Sequence, residues 1–209
     1  MSSSSEDKYI QLGILFDQTG EFDKAIACFT QAIKINPNNG NNYYNRGVAY
    51  GHMGDWDNAI ADYTKAIELN PNDSEAYGNR AMAYLDKKDY DKAIADLKQC
   101  LAINPYSIHR LNLPDVFYFR ANNSLEQGDY EQAILDYSLL IETFPDYYAI
   151  SEVYINRARA YLHQKEYDKF KNDLKKATKI LEDMKNCEAK RRMLKEIDEL
   201  CKQYALEDE

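Results

Sequence analysis

An all-α array of about five helical hairpins, closed by a C-terminal helix, is the fold class this sequence predicts. Three observations predict it. The same pattern of aromatic, small and proline residues returns at a fixed period of 34 residues. Within each period the apolar residues fall at offsets of three and four, the spacing of one helix face. Turn and stop signals divide each period into two helices.

The unit is clearest from Gly40 to Asp73. Its first helix carries Tyr43, Arg46, Gly47 and Tyr50 on one face. Its second carries Trp56, Ala59, Ile60, Tyr63, Ala66, Ile67 and Leu69. Between them lies the turn Met53-Gly54-Asp55, with Asp55 placed as N-cap and Asp57 in the first turn to complement the helix dipole. Asn70-Pro71 ends the second helix, because the residue before a proline is pushed out of the α region. Gly47 and Ala59 are small where the two helices should cross.

The period shows in four registers at once: Tyr9, Tyr43 and Tyr77; Gly13, Gly47 and Ala81; Ala25, Ala59 and Ala93; Pro37, Pro71 and Pro105. This pattern resembles the tetratricopeptide repeat (TPR) family. The resemblance implies hairpins stacked into a right-handed α-solenoid whose concave face is lined mainly by first helices. Stacking is required by the residues too, since one short hairpin cannot bury its apolar face alone.

In chain order, repeat one covers about 6–39, with Tyr9, Gly13, Phe16, Phe22, Ala25, Phe29 and Ala32 as its core. Repeats two (40–73) and three (74–107) follow without a gap, and Cys100 replaces an alanine in the third. The register then slips by six residues, placed at Ile108–Leu113, and Pro114 suits the first turn of a new helix. Repeat four covers 114–147, and a three-residue slip separates it from repeat five, 151–184. Phe170 stands where the other second helices have alanine, and Glu182 where the other repeats have proline. Both departures suggest a splayed last hairpin whose second helix runs on. A capping helix over about 185–204 has Cys187, Leu194, Ile197, Cys201 and Tyr204 as its apolar stripe, with Lys185-Asn186 as the preferred break before it; the alternative is one continuous helix. Ala205–Glu209 reads as a frayed acidic tail. The whole chain, 1–209, thus reads as a single array.

A net charge of −9 argues against a nucleic-acid surface and for a basic or neutral protein or peptide partner. No apolar run spans a bilayer, which argues against membrane insertion. Met1–Ser5 lacks the basic and apolar parts of a signal peptide, so the chain reads as cytosolic. Self-association stays open. The four cysteines form no CxxC or Cys/His cluster and read as free, mostly buried thiols, with no metal or cofactor implied. His52, His109 and His163 are isolated, so no catalytic constellation is expected. Carboxylates alternating with lysines on second helices, such as Asp91-Lys92 and Asp62 with Lys65, read as a solvated face.

Binding is the better reading. If Tyr43, Arg46, Gly47 and Tyr50 face neighbouring helices, then Tyr44, Asn45, Val48 and His52 look into the groove. The equivalent residues are Ile10, Gln11, Ile14 and Gln18 in repeat one and Asn79, Met82 and Asp86 in repeat three. Repeat four supplies Tyr118, Phe119, Asn122 and Glu126, and repeat five Ile155, Asn156, Arg159 and His163. Asn45, Asn79 and Asn156 share one slot. The resemblance implies that an asparagine there holds a peptide backbone through its donor and acceptor; the plainer role is bonding to neighbours. Tyr44, Tyr118 and Phe119 exceed the packing pattern and are candidate hot spots, unless Tyr118 or Phe119 packs beneath the insertion. Chaperone-binding family members grip a C-terminal carboxylate with lysine, asparagine and arginine. Those slots here hold Ile10, Ile14, Asn45, Glu75 and Asn79, so only an asparagine survives and that ligand is disfavoured. The expected function is a non-catalytic interaction scaffold binding a partner segment in the concave groove. The alternatives are a small acidic secretion-type chaperone, or a regulator or enzyme with a site assembled across repeats.

Overall fold

The computed structural model describes residues 5–207, and every regular element among them is helical. Met1–Ser4 of the serine run and the last two residues of the acidic tail lie outside the described residues. The elements are α1 (Ser5–Gln18), α2 (Phe22–Ile35), α3 (Gly40–His52), α4 (Trp56–Leu69), α5 (Ser74–Asp86) and α6 (Tyr90–Ile103). A 3-10 turn (Ile108–Leu111) precedes α7 (Asn112–Gln127), α8 (Tyr130–Thr143), α9 (Ile150–His163), α10 (Tyr167–Asp183) and α11 (Glu188–Glu207). Two compact units divide the chain, Met1–Leu113 and Pro114–Glu209, with the division in the first turn of α7.

The turns follow from local chemistry. Asp55, Asp89 and Asp129 each accept a hydrogen bond from the backbone N–H three residues on, capping α4, α6 and α8. Gly54 just before Asp55 takes φ +75°, a conformation without cost only for glycine. Lys88 and Lys165 hold the same turn in the third and fifth hairpins at φ 59°.

In unit 1, α1–α2, α3–α4 and α5–α6 pair as hairpins and each stacks on the next. Ala25, Ala59 and Ala93 are fully buried at the crossings. A Cβ on Gly47 would come within 2.9 Å of the Tyr63 ring and 3.3 Å of the Asp62 Cβ. Gly47→Leu is therefore expected to cost about 1–3 kcal/mol in urea unfolding. A loss under about 0.5 kcal/mol would mean that the helices do not need a small residue there. The inserted turn closes unit 1. Gly78 leaves a notch on α5, and the buried His109 imidazole fills it so closely that a Cβ on Gly78 would fall 2.1 Å from the ring.

One feature of the core corrects the solvated-face reading of Asp62. Asp62 is buried, and the Arg46 guanidinium donates to both its carboxylate oxygens at 2.8 Å. Lys65 pairs with Glu68 instead. The same fork joins Arg80 to Asp96, Arg120 to Asp136 and Arg157 to Asp173, always at a separation of 16 residues. The remaining Nη1 of Arg46, Arg80 and Arg157 donates to a hydroxyl on the preceding second helix, Thr30, Thr64 or Ser138. One guanidinium thus joins three helices, and its planar donors suit the task better than an ammonium would. Repeat one holds Leu12 and Cys28 in these slots. The last second helix of each unit carries a lysine, Lys98 or Lys175, where the others have the hydroxyl.

In unit 2, the Arg157–Asp173 fork closes the last hairpin at 2.7 and 2.8 Å, as tightly as the others, so the hairpin is not splayed there. Phe170 is accommodated because its ring turns to Tyr204 of α11, with centroids 5.6 Å apart. The second helix does run three residues longer than its counterparts, 17 against 14, before breaking at 184–187. The apolar stripe of α11 differs from expectation: Met193 and Leu200 are buried and Ile197 and Tyr204 join them, while Leu194 and Cys201 are exposed and Cys187 precedes the helix. Of the four thiols, only Cys28 and Cys100 are buried.

Candidate functional site

The candidate residues lie on the first helices, so each unit offers its own face. In unit 1, Val48 and His52 from α3 and Asn79, Met82 and Asp86 from α5 line one open recess of about 200 Å³. Its floor includes Trp56 and Tyr63 of α4. These helices bring the five side chains together because Val48/His52 and Met82/Asp86 are one turn apart on equivalent stripes. His52 is tied into place: Nδ1 lies 2.9 Å from Asp17, and its ring faces Phe22 at 5.3 Å. Asp86 is exposed and has no ion pair or hydrogen bond to another side chain among the described residues.

Tyr44 and Asn79 are bonded to each other, Asn79 Nδ2 donating to the Tyr44 hydroxyl at 2.9 Å. Burial, reinforced by Glu75 and Asp73, pushes the Tyr44 phenol above its ordinary range. Asn45 is half-buried and makes no side-chain hydrogen bond among the described residues. Ile10 is half-buried, while Gln11, Ile14 and Gln18 on α1 are exposed.

In unit 2 the picture changes. Ile155, expected in the groove, is fully buried, because α11 covers the α9 stripe Ser151, Ile155 and Arg159. Asn156 is buried as well, donating to Asn122 at 3.1 Å and accepting from Arg159. Arg159 also bonds Glu196 of α11, and His163 stacks on Tyr130 at 4.5 Å. Asn122 accepts from the Tyr137 hydroxyl as well as from Asn156. Phe119 and Glu126 remain exposed.

Tyr118 packs among other rings of unit 2. Its ring lies 5.9 Å from both Phe119 and Tyr147, and Tyr147 lies 4.6 Å from Tyr148. Sequence reasoning missed the last two rings, which stand at the end of repeat four and the start of the three-residue slip after it; the dipeptide Tyr147-Tyr148 beside a register break was the available signal. Among the described residues no group of His, Cys, Asp and Glu could hold a metal, and no helix is long and apolar enough to cross a membrane.

Consecutive helical hairpins joined by small-residue crossings define a helical repeat protein. Sequence profiles described as tetratricopeptide repeat match residues 42–73, 62–95 and 151–183, and one described as TPR repeat matches 14–54. Together they take in more than half of the chain, which belongs to the tetratricopeptide repeat family. Among curated protein sequences no match was found.

Among solved structures, a crystal structure of MamA protein is 24% identical with a TM-score of 0.59, covering 87% of this chain and 97% of its own, a likeness of fold alone. The TPR2B domain of yeast Sti1, solved as a complex with pHsp70, is 28% identical with a TM-score of 0.51 over 56% of this chain and 95% of its own. The first TPR of Spaghetti (RPAP3), bound to the HSP90 peptide SRMEEVD, is 25% identical with a TM-score of 0.53 over 56% of this chain and 93% of its own.

Proposed function

We propose that the chain is a non-catalytic interaction module that holds a segment of a partner protein against its first-helix faces, with a preference for basic or neutral segments. The observation that carries this reading is the open recess of unit 1, where Val48 and Met82 offer apolar surface beside the exposed carboxylate of Asp86. Its volume of about 200 Å³ suits a side chain rather than a drug-sized ligand. Peptide complexes among the similar TPR domains support the mode of binding.

The sign of the ligand is argued from differences. The HSP90 peptide of the Spaghetti complex carries two glutamates and an aspartate in its last four residues. The matching slots here, Ile10, Ile14, Asn45, Glu75 and Asn79, offer no cation. Asp86 in unit 1 and Glu126 in unit 2 stand exposed, while Arg159 is engaged by Glu196. A basic segment would meet no repulsion at these positions, whereas an acidic tail would find nothing to neutralise it.

A peptide library of varied charge tests the reading. Capture of basic and neutral members is expected, weakening from low to physiological ionic strength. Met82→Glu should weaken capture in unit 1 by about tenfold, the effect of about 1.4 kcal/mol. Asp86→Lys should lower the association rate more than it raises the dissociation rate. Preferential capture of acidic peptides, or binding indifferent to salt, contradicts the proposal.

A further inference from the structure

We infer that the aromatic row Phe119–Tyr118–Tyr147–Tyr148 in unit 2 is a docking surface for arginine side chains of a partner protein's segment. The inference rests on reading the chain as a binding module, but not on the recess of unit 1.

The row has a fixed base and two open flanks. Tyr147 is buried, and its hydroxyl donates to Asp115 Oδ1 at 2.6 Å, which locks the ring against α7. Tyr118 is half-buried between Tyr147 and Phe119. Phe119 is 44% exposed and Tyr148 is 81% exposed, so ring surface is open at both ends. Four contiguous rings are more than solvent-facing positions require, and exposed aromatics of this kind are the side chains that anchor partners.

The charge around the row selects a cation. Residues 114–164 carry eight carboxylates and three arginines, and no lysine. All three arginines are spent inside the fold, on Asp136, Asp173 and Glu196. Asp115 from α7 and Glu152 from α9 border the rings, and Asp146 stands exposed in the loop beside Tyr147. Arg192 of α11 pairs with Glu152 at 3.8 Å.

Several rings elsewhere in the protein are supplied with cations. Arg46 lies over Tyr43, Arg80 over Tyr77, Arg120 over Phe117, Arg157 over Tyr154 and Lys171 over Tyr204. Among the described residues no lysine or arginine stands over any of the four rings of the row. The exposed π faces of Phe119 and Tyr148, and the exposed Asp146 carboxylate nearby, are therefore left for an outside cation. A guanidinium fits better than an ammonium, since it is planar, more weakly hydrated and able to stack on a ring while its edge meets a carboxylate.

The test uses the full chain and short peptides of equal length that alternate glycine with arginine, lysine, glutamine or glutamate, with affinities read by calorimetry. The expected order is arginine above lysine, with glutamine and glutamate peptides well below. In F119L/Y148L, which keeps apolar bulk but removes both ring faces, arginine-peptide affinity should fall about tenfold, as two lost cation–π contacts imply. Y148L alone, at a site too exposed to disturb folding, should give part of that loss. Tyr106→Leu, at an exposed tyrosine of unit 1, should change nothing. Equal binding of arginine and glutamine peptides, or full affinity in F119L/Y148L, overturns the inference. If peptides are captured but only Met82→Glu affects them, the aromatic row is wrong and the unit 1 recess stands. Failure to capture any peptide counts against both. A dimer dissolved by F119L/Y148L, without arginine-peptide capture, also overturns it by making a second copy the occupant.

Discussion

Asp173→Ala is expected to destabilise unit 2 by about 3–5 kcal/mol, the usual cost of removing one partner from a buried ion pair. The Asp173 side chain is 1% exposed and that of Arg157 12%, so water cannot replace the lost carboxylate. Arg157 would keep its bond to Ser138 and its contacts with the Tyr154 and Tyr161 rings, with Nε and Nη2 stranded. The loss should appear in urea unfolding as a lower midpoint at unchanged slope. The double variant R157M/D173L should recover much of it, because apolar residues of similar volume avoid the desolvation that the pair must overcome. A loss below about 1 kcal/mol in Asp173→Ala, the level of a surface pair, would show that the fork contributes no more than solvent does.

The hairpins were legible because their signals are local. Period, crossing residues and caps each lie within one or two turns of the chain, and Gly47, Asp55 and Pro71 work through their own backbone or the adjoining helix. The spacing of the arginine forks is in the sequence too, yet Asp62 reads there as part of a solvated face. Arg46, Arg80, Arg120 and Arg157 each have an aspartate 16 residues on, but Asp62 also has Lys65 three residues away, and that spacing by itself fits a helix-surface pair. Helical spacing says which residues share a face and leaves open which face is covered. The same limit explains α9. Ile155 and Asn156 occupy the slots of Tyr118 and Phe119, and tertiary contacts bury them, Ile155 in the cluster that α11 joins and Asn156 against Asn122. In α11 itself the apolar residues fit two overlapping stripes, one through Leu194 and Cys201 and one through Met193 and Leu200, and tertiary contact selects the second.

Truncation at Glu188, which deletes α11, is expected to abolish cooperative folding of unit 2 and cause aggregation. Met193 and Leu200 are buried against a cluster that includes Ile155, Leu162, Phe170, Leu174 and Leu181, with Ile197 and Tyr204 packed beside them. Burying one such side chain contributes about 1.5–3 kcal/mol. Losing several therefore approaches the whole stability of an ordinary domain, about 5–15 kcal/mol. Polar partners would be lost as well. Glu196 leaves Arg159, and Lys190 no longer donates to the Glu182 and Met184 carbonyls at 3.2 and 2.9 Å, where it completes the C-terminal end of α10. The neighbouring face of α10 cannot compensate by recruiting another hairpin, because Lys171 stands where α2, α4, α6 and α8 carry Ile26, Ile60, Ile94 and Ile134. The bared apolar surface should therefore drive non-specific association. Calorimetry and sedimentation of the truncated chain check this, with Leu200→Glu as a milder version that retains the helix. A truncated protein that stays monomeric with an unchanged melting temperature would show that α11 is dispensable to the packing of α9 and α10.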